Sequence, residues 1–166
     1  MPRKSGCWAR GQNKMTDYTL LTNQIKSLAE ASCHFLPLLS NASALLNEAL
    51  TDINWVGFYL VKGKQLLLGP FQGKPACVVI EKGKGVCGTA WEKDATQLVP
   101  DVHAFPGHIA CDSASNSEIV IPIHKDGSVV AVLDIDSPLL SRFTEDDKIG
   151  LEGFAKVLED RIAWEG

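Results

Sequence analysis

In GHIACDSASNSEIVIPI, residues 107–123, a thiol, Cys111, stands in a run of small polar residues. Further on, Glu118 stands at the mouth of a strongly apolar segment. Burial does not account for a cysteine in a polar loop, so Cys111 is read as a reactive or redox thiol. In AVLDIDS, Asp134 and Asp136 are two apart. On a strand they share one face, and Leu133 and Ile135 take the other. By the same alternation Glu118 goes with Val120 and Pro122, opposite Ile119, Ile121 and Ile123. A hairpin brings Glu118 near Asp134 and Asp136, where like charges require a raised pKa or a bound cation. A solvated strand end explains any one of these acids alone. Together they suit a metal ion or the ammonium group of a ligand. Trp55 and Tyr59 share a face of NWVGFYLV, and such a pair can wall an apolar slot or cover a cation, which favours an organic ligand. Core packing also accounts for both rings.

The remaining cysteines are Cys7, Cys33, Cys77 and Cys87. A zinc site from Cys77, Cys87, Cys111, His103 and His108 lacks the short ligand pairs that structural zinc uses. Cys77, inside an apolar strand, reads as a small buried hydrophobe, and so does Cys33. Cys7 is incidental, and the two histidines read as solvated. Gly83-Lys84-Gly85-Val86-Cys87-Gly88 fits G-x-G-x-x-G between a strand and a helix. A dinucleotide fold needs parallel strands alternating with helices, and no helical pattern appears between Glu92 and Thr144. These glycines are read as a tight turn with close backbone approach.

The elements that must position these groups follow from periodicity. Thr16 or Asp17 caps a helix with apolar positions Leu20, Leu21, Ile25, Leu28 and Ala29. A second helix spans Leu36 to Leu50. The period then changes to two in NWVGFYLV, and 65–69 and 76–81 read as further strands. Gly85 to Glu92 forms a short helix, and Gln97–Val99 a strand. Residues 100–116 form a long loop, a usual place for function. Glu118–Ile123 and Ser128–Asp136 are strands joined by a turn at Lys125-Asp126-Gly127. A last helix starts at the cap Thr144, with Glu145 and Asp146 in its first turn, and runs toward Trp164. Helices bracketing hairpin-linked strands give an α+β single domain with a central, mostly antiparallel sheet.

The chain has 166 residues, of which 45% are hydrophobic, so a sizeable core is available. The net charge is −4 and there is no basic stripe, which argues against nucleic acid as a partner. No apolar run reaches membrane-spanning length and no signal peptide opens the chain, so the expected location is cytoplasmic and structural disulfides are not expected. Residues 1–14 read as a disordered leader, with Met15 as an alternative start, and 15–166 as the folded domain.

The phrases GVCGTA, VPDVHAFPGHIACD, SNSEIV and VAVLDIDS, occurring together in this order, closely resemble the free methionine-(R)-sulfoxide reductases, enzymes built on a GAF-type domain. The resemblance covers roughly residues 16–163. It implies a GAF-like fold, a central antiparallel sheet flanked by helices. It implies that Cys111 is the nucleophile, Cys77 the usual resolving thiol, and Cys87 a second candidate resolver. It places substrate recognition on Trp55, Glu118, Asp134 and Asp136, with Tyr59 a plausible addition. It implies free methionine (R)-sulfoxide as substrate, thioredoxin as reductant and a homodimer, with no metal, flavin or nucleotide cofactor. The residue types suit that chemistry. A thiolate attacks an electrophilic sulfoxide sulfur, a carboxylic acid of raised pKa protonates the departing oxygen, and a second thiol captures the resulting sulfenic acid. The competing readings are a GAF module that senses a small molecule without catalysis, and a structural interaction protein. The first needs no loop cysteine, and the second leaves the facing carboxylates unexplained.

Overall fold

The computed structural model describes residues 15–107 and 113–164. The leader read over residues 1–14, and Cys7, His108 and Cys111, lie outside the described residues.

Period-two sequence produces β1 (Trp55–Lys62), β2 (Gln65–Gly73), β3 (Val79–Glu81), β4 (Gln97–Val99), β5 (Ser117–Lys125) and β6 (Ser128–Ser137). They form one sheet in the order β3-β2-β1-β6-β5-β4. Every adjacent pair is antiparallel. Four helices accompany it: α1 (Tyr18–Ala31), α2 (Phe35–Ala49), α3 (Gly85–Lys93) and α4 (Glu145–Arg161). The α+β architecture read from the sequence is the one observed.

The sheet separates two apolar regions. On one face Val56, Phe58, Ile119, Ile121, Ile123, Leu133 and Ile135 pack with residues of α1, α2 and α4. On the other, Trp55, Tyr59, Val120 and Val132 pack with Val86, Cys87, Ala90 and Trp91 of α3. The alternation expected for β1, β5 and β6 is therefore realised. Helix ends follow their caps. Asp17 accepts from Leu20 N to start α1, and Thr144 starts α4 through a reciprocal capping box with Asp147.

Several expectations are corrected. Leu20 is exposed rather than on the buried stripe of α1, which is Leu21, Ile25 and Ala29. β2 runs on to Gly73 through Pro70, because the register with β1 shifts between Gly57 and Tyr59 and spares a ladder bond there. β3 begins only at Val79, so Cys77 precedes the strand and is half-buried, not a core hydrophobe. Cys33 is exposed, in the link between α1 and α2. The long loop contains a 3-10 turn, Val102–Ala104, capped by Asp101. His103 is exposed there, with Nε2 3.0 Å from Asn116 Oδ1.

The glycine motif before α3 behaves as a turn. Gly83 and Gly85 have φ of 76° and 60°. A Cβ on Gly88 would lie 2.4 Å from Glu81 O. The motif folds β3 tightly onto the start of α3, which brings the first turn of that helix over the sheet.

Candidate active site

Antiparallel register sets the site. Asp136 of β6 pairs with Trp55 of β1 and with Glu118 of β5, so these three form one row across the sheet. The next row is Gly57, Asp134 and Val120. Side chains of both rows point to the α3 face, and a pocket opens there. Its walls include Trp55, Tyr59, Cys87, Glu118, Asp134 and Asp136. Six of the residues singled out in the sequence thus meet in one place.

The aromatic wall depends on a missing side chain. Trp55 stacks on Tyr59 at 5.9 Å between centroids and on Phe71 at 5.3 Å. Gly57 lies between Trp55 and Tyr59 on the same strand. A Cβ there would sit 2.3 Å from Phe71 Cβ and 2.7 Å from Trp55 Cη2, so only glycine permits the ring to lie flat. The polar edges of the wall are tied down. Trp55 Nε1 donates to Lys74 O at 3.1 Å, and the Tyr59 hydroxyl donates to Cys77 O at 3.0 Å. Burial, and then the nearby Asp134 carboxylate, push the Tyr59 phenol upward, so it stays neutral.

Opposite the rings is a buried acidic cluster. Glu118 and Asp134 are each 6% exposed. The Glu118 carboxyl and the Cys87 thiol lie against the Asp134 carboxyl. Asp134 Oδ1 has no partner among the described residues. Burial raises Asp134 to about 6, although the hydrogen bonds from Cys87 and Glu118 pull the other way. Glu118 is pushed well above the carboxylate range by burial, then by the charges of Asp134 and Asp136. The pair therefore holds a proton between its carboxyls at moderately acid pH. Burial and the same acids raise Cys87 well above a thiol's ordinary value, so it is a protonated thiol and a poor nucleophile.

One ligand atom from each of Cys87, Glu118 and Asp134 can gather within 4.8 Å, enough to surround a small cation. With one acid protonated and the thiol protonated, this set matches an ammonium's hydrogen bonds better than a metal's demand for anionic donors.

The structure adds walls that the sequence reading did not assign to a site. Pro75 and Ala76 line the pocket immediately before Cys77, and Lys84, Gly85 and Val86 line it at the start of α3. Ser115, buried, also lines it, and its Oγ accepts from Asn54 Nδ2 at 3.0 Å. Lys84, Gly85 and Val86 lay in the glycine motif, read as a turn, and Ser115 in the small polar run after Cys111. Cys77 is not itself in the wall but adjoins it. Cys33 and Cys87 are free, and Cys77 is disulfide-bonded. Cys111 falls outside the described residues.

The GAF domain model matches residues 36–162. A protein of Escherichia coli (strain K12) named free methionine-R-sulfoxide reductase is 51% identical over 151 residues, 91% of this chain and 92% of that protein. The chain belongs to the GAF-domain family of free methionine-(R)-sulfoxide reductases. The solved structures agree in fold. That of fRMsr of Staphylococcus aureus in its reduced form superposes with a TM-score of 0.88 at 55% identity, covering 93% of this chain and all of that one. The Neisseria meningitidis free methionine-R-sulfoxide reductase, solved with its substrate, gives a TM-score of 0.86 at 45% identity, with 92% of each chain covered. Among the described residues of this chain, no helix is long and apolar enough to cross a membrane.

Proposed function

We propose that this chain reduces free methionine (R)-sulfoxide to methionine, with Cys111 as nucleophile, Cys77 as resolving thiol and thioredoxin as reductant. The observation that carries the reading is the buried Glu118–Asp134 pair facing the Trp55–Tyr59 wall, in a chain 51% identical to a relative of that name. The unpartnered Asp134 Oδ1 offers a site for the substrate ammonium. Asp136, on the same face, adds charge. Trp55 and Tyr59 flank the apolar sulfoxide end. Glu118, held well above its ordinary range by burial and by the neighbouring acids, supplies the proton.

The chemistry balances as follows. Cys111 sulfur attacks the sulfoxide sulfur, and Glu118 protonates the oxygen. The S–O bond breaks and the oxygen departs as water, leaving Cys111 bonded to the substrate sulfur as a sulfonium. Water then adds its oxygen to the Cys111 sulfur and loses a proton. The S–S bond breaks with its electron pair going to the substrate sulfur, and methionine leaves Cys111 as a sulfenic acid. The Cys77 thiol attacks that sulfur, forming a disulfide and releasing water. A dithiol then reduces the disulfide to two thiols. Two features favour Cys77 over Cys87 as resolver. Cys77 is disulfide-bonded while Cys87 is free, and the acids keep Cys87 protonated.

The test is to incubate the purified chain with free methionine (R)-sulfoxide and a dithiol and to measure methionine. Turnover is expected, and Cys111→Ser is expected to abolish it. Binding without methionine formation would return the chain to the sensing-module reading. Turnover by Cys111→Ser near the wild-type rate would remove the mechanism.

A further inference from the structure

The strand that follows Cys77 is unusual for a sheet edge. β3 is an edge strand, paired with β2. Its inward residue, Ile80, is buried in register with Leu66. Val78 and Val79, however, are 68% and 43% exposed. Sheet edges commonly carry charges or proline that discourage pairing with other chains. Here two β-branched apolar side chains stand in solvent directly after a cysteine that is in a disulfide. The backbone at this point is fixed. Leu68 N donates to Val78 O at 3.0 Å, and Tyr59 holds Cys77 O. The apolar pair therefore keeps a constant relation to the Cys77 backbone.

We propose that the Val78–Val79 edge is the docking surface for a disulfide-reducing protein, which seats on these side chains and attacks the Cys77 sulfur. The inference rests on the redox cycle proposed above. The occupant follows from the chemistry of the neighbouring bond. Exchange requires a thiolate to reach a disulfide sulfur, so the reductant's surface must press against that sulfur's neighbours. On the other side of Cys77, Pro75 and Ala76 line the substrate pocket. Val78 and Val79 are the neighbours left to a partner. A small apolar contact suits a transient redox encounter, which buries less than about 1,200 Å². An open strand edge adds backbone donors and acceptors that an extended partner segment can use. In the exchange the reductant's thiolate bonds to Cys77 Sγ, and the other half-cystine leaves as a thiolate and takes a proton. The reductant's second thiol then attacks the mixed disulfide and releases Cys77 as a thiol. The reductant ends as a disulfide, and the chain has gained two electrons and two protons.

The experiment compares two reductants on the same variants. Val78→Asp, Val79→Asp and the milder Val78→Ala are assayed with thioredoxin, thioredoxin reductase and NADPH, and separately with dithiothreitol. The aspartates are expected to raise KM for thioredoxin about tenfold or more, and the alanine less. The dithiothreitol-supported rate and the KM for the sulfoxide should stay within about twofold of wild type, which also reports intact folding. An unchanged thioredoxin KM overturns the proposal. So does an equal loss with both reductants, which marks a structural role. If Val78→Asp instead converts a dimer to a monomer in sedimentation while the thioredoxin KM holds, the edge joins two copies and the proposal falls. A wild-type chain inert with both reductants refutes the reductase reading itself and takes the docking surface with it.

Discussion

Leu133 and Asp134 are neighbours on β6, and their environments are opposites. Leu133 is fully buried in register with Phe58 and Ile121, in the apolar region that includes Phe154 and Leu158 of α4. Asp134 is buried almost as deeply, yet it faces Glu118 and the Cys87 thiol and keeps an oxygen with no partner among the described residues. The first face gains stability from every methylene it hides. The second hides carboxyls from water and places them against each other, which costs stability until a cation arrives. One sheet thus divides the labour between its two sides, and the helices follow. α1, α2 and α4 cover the apolar side, while α3 covers the pocket.

The sharpest way to break this comparison is a matched pair of substitutions. Leu133→Ala is expected to destabilise the fold by about 2–5 kcal/mol, because it removes buried methylenes and leaves a cavity. The molecules that remain folded should keep their kcat. Asp134→Asn removes the charge that the proposed function assigns to the substrate ammonium, so kcat/KM is expected to fall by on the order of a hundredfold. Stability should hold or rise, since a repelling buried charge is gone. Urea melts and steady-state kinetics on both variants decide it. If Asp134→Asn unfolds the chain as readily as Leu133→Ala and leaves activity intact, the two faces do not differ in kind.

A smaller effect should appear in the pH dependence of stability. Burial raises Asp134 to about 6, and it raises Glu118 well above the ordinary carboxylate range. In the unfolded chain they return to about 3.9 and about 4.3. Between those values the folded state binds more protons than the unfolded one, so stability falls as pH rises. The contribution is fully present below about pH 4. It is lost as pH rises through about 6 for Asp134, and through the raised folded value of Glu118. His124, raised by its hydrogen bonds to Asp94 and Glu159 against the pull of burial, acts in the same direction near neutrality. Glu159, lowered mainly by its bonds to His124, acts in the opposite direction at acid pH. The difference between wild type and Asp134→Asn isolates the pocket. Urea midpoints from acid to neutral pH should fall more steeply for wild type. Parallel curves would mean that Asp134 is not held protonated by the fold.

The sequence made the two faces legible wherever alternation was strict. Ile119, Ile121 and Ile123 against Glu118 and Val120, and Leu133 and Ile135 against Asp134 and Asp136, could be sorted by period alone. What period could not supply was the end of a run. Ala76-Cys77-Val78-Val79-Ile80 reads as one apolar strand, but pairing begins only at Val79, and Val78 is in solvent. Apolar character alone cannot distinguish a core strand from an edge that exposes its valines. Cys33 failed for a related reason: burial was inferred from residue type, and the residue lies in an inter-helix link. The strand read over 65–69 was too short, because a register shift that lets Pro70 lie within a strand has no local signature. Ser115, Lys84 and Ala76 carry no marking as pocket walls. They reach the pocket through the turn before α3 and the path of two loops, which depend on tertiary packing.

The smallest expected effect is at Trp55, which belongs in part to both worlds. It is only 3% exposed and stacked between two rings, as a core residue would be. It also stands in the row with Asp136 and Glu118, as a pocket wall would. Trp55→Ala cannot separate these roles, because loss of a buried aromatic costs about 3–5 kcal/mol by itself. Trp55→Phe can. It retains a ring on Phe71 and Tyr59 and removes the indole N–H that donates to Lys74 O. Lys74 is exposed, so water can replace that donor, and the stability cost should be about 1 kcal/mol or less. The narrower ring covers less of the substrate, so KM for the sulfoxide should rise about threefold with kcat unchanged, since no reacting group is lost. A fall in kcat at saturating sulfoxide with KM unchanged would make Trp55 a contributor to the transition state. A loss of stability with both constants unchanged would assign Trp55 to packing, and the aromatic wall of the pocket would then rest on Tyr59.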